Sequence, residues 1–218
     1  MRRSQELARI EGTATDRVRR LRLQWPLATA AASQSDRVRW MTCLTLTLQN
    51  VWANFCRAHY LSCMMGTWTR SRTKAAATPV VAIEFQAIER AIVAAKGGSS
   101  FPTPASPGAW AHYQEPKWFD PTTVARIYEK TGISLLATFQ EATGSRSDVL
   151  QDIRAFRNYF AHRALATRQA AMQKAARVGI FAPTLPADAI SERPLGETRA
   201  WFEVWLDEMD ELIVDLCR

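Results

Sequence analysis

The chain has 218 residues, enough for one sizeable core or for one domain with extensions. Its 47% hydrophobic and 22% charged residues exclude a disordered or fibrous protein, and no apolar run approaches the length that spans a bilayer. The formal net charge of +7, carried mainly by arginine, favours a polyanionic partner such as RNA, though ribosomal contacts or acidic proteins would satisfy it equally.

Residues 1–34 read as a basic N-terminal extension, with a short helix around residues 15–23 and an interruption at Pro26. The start, Met1-Arg2-Arg3-Ser4-Gln5-Glu6, is basic but leads into no apolar signal region, so a cytoplasmic protein is expected. Ser35-Asp36 reads as the cap of a long helix running to about Met65. Its apolar positions Val38, Met41, Leu44, Leu48, Trp52, Phe55 and Leu61 keep close to helical period, while Thr42, Thr45 and Thr47 weaken its middle. After Gly66 a polar connection carries Arg70, Arg72 and Lys74. Thr78-Pro79 then predicts the start of a helix through Ile83, Ala87, Ile88 and Ile92 to a stop at Gly97-Gly98. Residues 97–117 form a Gly/Pro/Ser-rich loop with Phe101, Trp110 and Tyr113, aromatics that either pin the loop to the bundle or stack on bases.

Asp120-Pro121 predicts a short helix ending at Gly132, followed by another over residues 134–143. Ser147 caps a helix that can run to Gly179, and a loop with Pro183, Pro186 and Pro194 leads to a last amphipathic helix. That helix carries Trp201, Trp205, Met209, Leu212 and Leu216 inside, and Glu203, Asp207, Glu208, Asp210 and Glu211 outside. With no strand alternation or internal repeat, the expected class is an all-α helical bundle, with residues 35–218 as a single domain.

Cys43, Cys56, Cys63 and Cys217 show no disulfide-framework spacing, so reduced thiols are expected. Cys56, His59 and Cys63 share a helix face and are zinc-binding types. No fourth ligand accompanies them, and they read as buried thiols beside a packed histidine. No metal or cofactor is expected.

The most informative residues are Arg157-Asn158-Tyr159-Phe160-Ala161-His162. Arginine is a permanently charged fork matched to phosphate oxygens. Histidine exchanges protons near neutrality, and asparagine orients either neighbour or contacts substrate. At about 100° per residue, Val149, Ile153, Phe156, Phe160 and Ala164 form one apolar stripe. Asn158 and His162, four apart, share a face nearly opposite that stripe, with Arg157 on its flank. Cleavage of RNA through its 2′-hydroxyl needs a base, an acid and a fixed cation. One motif supplies one histidine, and neither His59 nor His112 has a comparable setting. Two motifs across a twofold axis would supply both proton carriers.

The string R-N-x-x-x-H resembles the signature of the HEPN superfamily of small helical bundles, many of them ribonucleases in toxin–antitoxin, antiviral and RNA-processing systems. A bare Arg-x-x-x-x-His arises by chance roughly 0.3 times in a chain of this composition, and requiring the asparagine lowers that to roughly 0.005. The resemblance implies a HEPN-like bundle with additional N-terminal and C-terminal helices. It also implies a metal-independent endoribonuclease with a composite site at a homodimer interface, acting as a bacterial toxin or antiphage effector restrained by an antitoxin or regulatory partner. In it His162 is the general acid or base, Arg157 stabilises the phosphate and Asn158 assists, leaving a cyclic phosphate on the 5′ fragment. Arg163, Arg168, Lys174 and Arg177 read either as a basic track for the RNA backbone or as a solvated face. Glu84 and Glu89 are weak candidates for a supporting acid.

In one toxin branch a tyrosine stands two positions after the histidine. Ala164 stands there in this chain, so control by nucleotide transfer is not implied. The alternative function is a non-catalytic HEPN-like module that binds RNA or protein. A third reading is a helical scaffold that assembles through Trp201 and Trp205.

Overall fold

The computed structural model describes residues 6–98, 112–181 and 183–218. Phe101 and Trp110, and with them most of the expected aromatic loop, lie outside the described residues. The helices in chain order are α1 (Glu6–Thr29), α2 (Gln34–Met65), α3 (Glu84–Ala95), α4 (Pro121–Thr131), α5 (Leu136–Ser145), α6 (Ser147–His162), α7 (Leu165–Arg177), α8 (Pro186–Ala189) and α9 (Trp201–Cys217). The class is all-α. Among the described residues the exception is one small antiparallel hairpin, β1 (Thr67–Trp68) on β2 (Lys74–Ala75), in register Thr67 to Ala75. Among the described residues no helix is long and apolar enough to cross a membrane.

The chain divides into two compact units that are not sequential. The first holds described residues up to Ala14, Trp52–Ser145 and Ile213–Arg218; the second holds Thr15–Val51 and Arg146–Leu212. Helices α1, α2 and α9 contribute to both.

In the first unit the inner faces of α2, α3, α4 and α5 supply Phe55, Tyr60, Ile88, Ile127 and Phe139, all buried. Two aromatic donors in this core reach backbone carbonyls. The Trp52 indole N–H donates to the Phe119 carbonyl at 3.2 Å, and the Tyr60 hydroxyl donates to the Ala87 carbonyl at 2.8 Å. Helix α4 begins with Pro121 in its first turn, as expected. It ends at Gly132, whose φ of 64° lets its N–H return to the Glu129 carbonyl. All four cysteines are free, and Cys56, Cys63 and Cys217 are buried.

In the second unit Phe156 of α6 meets Trp201 and Trp205 of α9 edge-on at 5.2 and 5.3 Å, and Trp25 stacks on Phe202 at 5.0 Å. Burying each such ring is worth roughly 1.5–3 kcal/mol, which fixes the inner face of α6 against α9. Beyond α7, Gly179 has φ 83°, and a Cβ added there would lie 2.7 Å from Leu195 Cβ. Gly179→Ala is therefore expected to cost about 1–3 kcal/mol, read as a fall in the thermal midpoint.

Several elements depart from the sequence expectation. The residues expected as a loose extension form a 24-residue helix through Pro26, with Leu7, Ile10, Val18, Leu21, Trp25 and Ala28 buried along one face. The cap of α2 is Ser33 rather than Ser35: its hydroxyl oxygen accepts the Asp36 N–H at 3.0 Å and donates to the Asp36 carboxylate at 2.7 Å. Helix α3 starts at Glu84, not at Thr78-Pro79, whose peptide bond is cis. The helix that carries Arg157 and His162 stops at His162 instead of running to Gly179.

Candidate active site

Helix α6 positions the site. Arg146 precedes it, and its guanidinium pairs with Glu208 and Glu211 of α9, both at 3.2 Å. Ile153, Phe156 and Phe160 form the buried stripe, with Val149 half-buried at its start. Ala164 is exposed beyond the helix end and does not belong to that stripe. With the inner face fixed, Arg157 and Asn158 emerge half-buried on the flank and His162 is exposed at the last position. Regular helix geometry separates Arg157 and His162 by about 7.5 Å along the axis, within reach of an extended arginine. Among the described residues the side chains of Arg157, Asn158 and His162 make no hydrogen bond or ion pair with the rest of the protein.

The helix ends because Arg163 adopts the left-handed conformation, φ 50° and ψ 25°, while its N–H closes on the Tyr159 carbonyl at 2.7 Å. Glycine is the usual occupant of that position, and a side chain there costs about 1–2 kcal/mol. The chain reverses and α7 runs back along α6. Arg177 Nη2 donates to both carboxylate oxygens of Asp152, at 2.9 and 2.8 Å, and Arg177 also pairs with Asp148. Lys174 Nζ donates to the Gln151 amide oxygen at 2.9 Å and lies 3.8 Å from Asp152. Burial pushes the Asp152 carboxyl up to about 6 against the pull of Arg177 and Lys174, which leaves it ionised at neutral pH.

This corrects the expected basic track. Lys174 and Arg177 do not extend α6 beyond His162; they return to its first turns and neutralise Asp148 and Asp152. Arg168 donates to the Thr184 carbonyl at 2.8 Å. Only Arg163 of the four keeps a guanidinium with no protein partner among the described residues, next in sequence to His162. Asp148 and Asp152 were missed in the sequence, although their four-residue spacing against Lys174 and Arg177 was a readable signal.

Other candidates are committed elsewhere. Glu84 pairs with Arg57 at 3.3 Å, within the first unit. The outer acids of α9 are partly engaged, Asp207 by Arg22 at 2.6 Å and by Arg199, and Glu208 and Glu211 by Arg146. Trp201 and Trp205 are buried against Phe156, so the scaffold reading loses its assembly surface. A cleft of about 570 Å³ lies at the other end of α6, lined by Asp148, Asp152, Arg177 and Trp201 among others. Asp148, Asp152 and Arg177 there satisfy one another, and from Asp148 to His162 is about 21 Å of helix, too far for one reacting centre.

No protein-family model, curated protein or solved structure matches the chain.

Proposed function

We propose that the protein is a metal-independent endoribonuclease of the HEPN type, acting as a homodimer. The single observation that carries this is the uncommitted trio Arg157, Asn158 and His162, clustered at the end of a helix whose opposite face is locked into the core. Elsewhere in the second unit, several basic side chains, among them Arg22, Arg37, Arg146, Lys174 and Arg177, are paired with carboxylates, whereas the trio keeps a cation, an amide and an imidazole together and available to a substrate. Leu165, 69% exposed three residues after His162, adds an apolar contact suited to a second copy.

Two facing motifs supply the chemistry. One His162 takes the 2′-hydroxyl proton, and the 2′-oxygen attacks phosphorus. The 5′-oxygen leaves with a proton from the other His162, and the fragment retains a 2′,3′-cyclic phosphate. Arg157 balances the charge that develops on the non-bridging oxygens, and Asn158 orients its neighbours. A toxin or antiphage role under a restraining protein partner is the biological setting this reading proposes.

The test is incubation of the purified protein with labelled total RNA and tRNA in EDTA. Fragments ending in 2′,3′-cyclic phosphate are the expected result. Intact RNA after incubation with folded, inhibitor-free dimer would overturn the nuclease reading and favour a binding module.

A further inference from the structure

The turn that follows His162 borders an open cleft of about 450 Å³ in the second unit. Its lining is Gln34, Ser35, Val38 and Arg39 of the first turns of α2, together with Arg163 and Leu185. Two arginines from segments far apart in the chain thus converge on one space, with an amide and a hydroxyl as further donors. No carboxylate lines it. Two acids adjoin it: Asp188, whose carboxylate accepts the Leu185 N–H at 3.2 Å and pairs with Arg37 at 3.5 Å, and Asp36, 3.6 Å from Arg39 in an exposed pair and already holding the Ser33 hydroxyl. An exposed pair of that length is weak and yields readily to a better anion.

Arg163 is the informative member. It occupies a left-handed position that glycine fills more easily, and its guanidinium has no partner among the described residues. Its Cα is one residue, about 3.8 Å, from that of His162. A conformationally costly arginine beside the proposed proton carrier is accounted for when the guanidinium itself has a ligand.

We propose that this cleft is a backbone subsite: Arg39 and Arg163 grip a non-scissile phosphodiester of the RNA strand, next to the linkage cut at His162. The guanidinium fork meets two phosphate oxygens at once, and Ser35 and Gln34 supply neutral donors to the same group. Leu185 and Val38 form an apolar wall that a ribose or base edge covers. The inference rests on the nuclease reading for the identity of the strand, and it assigns the second grip that holds the strand in register.

The test uses the full-length protein with a labelled single-stranded RNA. Cleavage kinetics and Tm are compared for wild type, Arg163→Gly and Arg39→Gln, and binding against salt is measured for each substitution in the His162→Ala background. Each arginine change is expected to weaken RNA binding about 10-fold and to reduce the salt slope by about one unit, with the loss falling on KM more than on kcat. Arg163→Gly is expected to raise Tm by about 2–4 °C even as it weakens binding, a divergence that damage to the fold cannot produce. Arg39→Gln, on the exposed surface of α2, repeats the binding test without touching the turn. Unchanged KM, affinity and salt slope in both variants, with wild type cutting RNA, would overturn the subsite and leave the nuclease standing. Arginine-dependent binding without any cleavage would keep the subsite and remove the nuclease. Neither binding nor cleavage by wild type would end both.

Discussion

Replacing His162 with alanine is expected to lower the rate of RNA cleavage by about 10²–10⁴-fold, the usual worth of a positioned proton carrier. The thermal midpoint is expected to move by no more than about 2 °C, since an exposed side chain at a helix end contributes within about ±0.5 kcal/mol. The two readouts must separate because nothing in the protein leans on this imidazole: it is the last residue of α6, exposed and without a partner among the described residues. Arg157→Ala is expected to cost about 10²–10³-fold, as loss of a charge-stabilising donor does, again without unfolding. On the proposed mechanism the acid and the base come from opposite protomers, so wild type mixed with excess His162→Ala protein tests the shared site. Each mixed dimer then holds one proton carrier of the two, and cleavage per wild-type protomer is expected to fall as His162→Ala is added; a rate that depends only on the amount of wild type would refute the composite centre. Equal cleavage by wild type and both variants would place the activity elsewhere, and a His162→Ala protein that melts early would make the residue structural.

How far the sequence led is clearest on α6. The buried stripe Ile153, Phe156 and Phe160 and the outward trio followed from periodicity alone, as did the buried face of α9. The break at Arg163 did not. Residues 163–166 are arginine, alanine and leucine, good helix formers with no glycine or proline among them, so local propensity favours continuation. What ends the helix there is non-local: Lys174 and Arg177 gain Asp148 and Asp152 only if α7 folds back. A continuous helix would also set Lys174 and Arg177 along a basic track, where the fold instead pairs them with Asp148 and Asp152, and charge reversal at Arg177 would report on that hairpin rather than on RNA. In α1 the opposite happened. Pro26 suggested an interruption, yet the regular burial of Leu7, Ile10, Ala14, Val18, Leu21, Trp25 and Ala28 carries one helix through it. The hairpin β1–β2 is too short, at two residues a strand, to leave an alternation in the sequence. The cleft at Arg39 and Arg163 joins segments whose proximity only the fold creates.

The opposite behaviour is expected of His59, 1% exposed in the first unit. Its Nε2 lies 2.9 Å from the Leu216 carbonyl, which only accepts, so Nε2 carries the proton and Nδ1 accepts the Tyr128 hydroxyl at 2.7 Å. One neutral ring thereby joins α2, α4 and α9. Both nitrogens are engaged, which leaves no lone pair for a metal beside Cys56 and Cys63. His59→Ala strands a buried carbonyl and a buried hydroxyl and opens a cavity, so a loss on the order of 3–5 kcal/mol is expected, about 10 °C or more in Tm. Tyr128→Phe, which removes one of the two bonds, is expected to cost about 1–2 kcal/mol. The pH dependence gives a sharper test. Burial lowers the His59 pKa to about 4, against the pull of the Leu216 carbonyl, whereas the unfolded ring titrates near 6.5. Between those values the unfolded chain binds more protons than the folded one, so this contribution is complete above pH 6.5 and is lost as pH falls toward 4. It amounts to roughly 3 kcal/mol over that window. Asp152, raised to about 6, titrates there with the opposite sign and masks part of the effect in wild type alone. The difference between wild type and His59→Gln removes that overlap: the gap in stability is expected to narrow steadily from pH 6.5 to 4. A gap independent of pH would mean that the ring protonates in place as it does in water, and the three-helix tie through His59 would have to be abandoned.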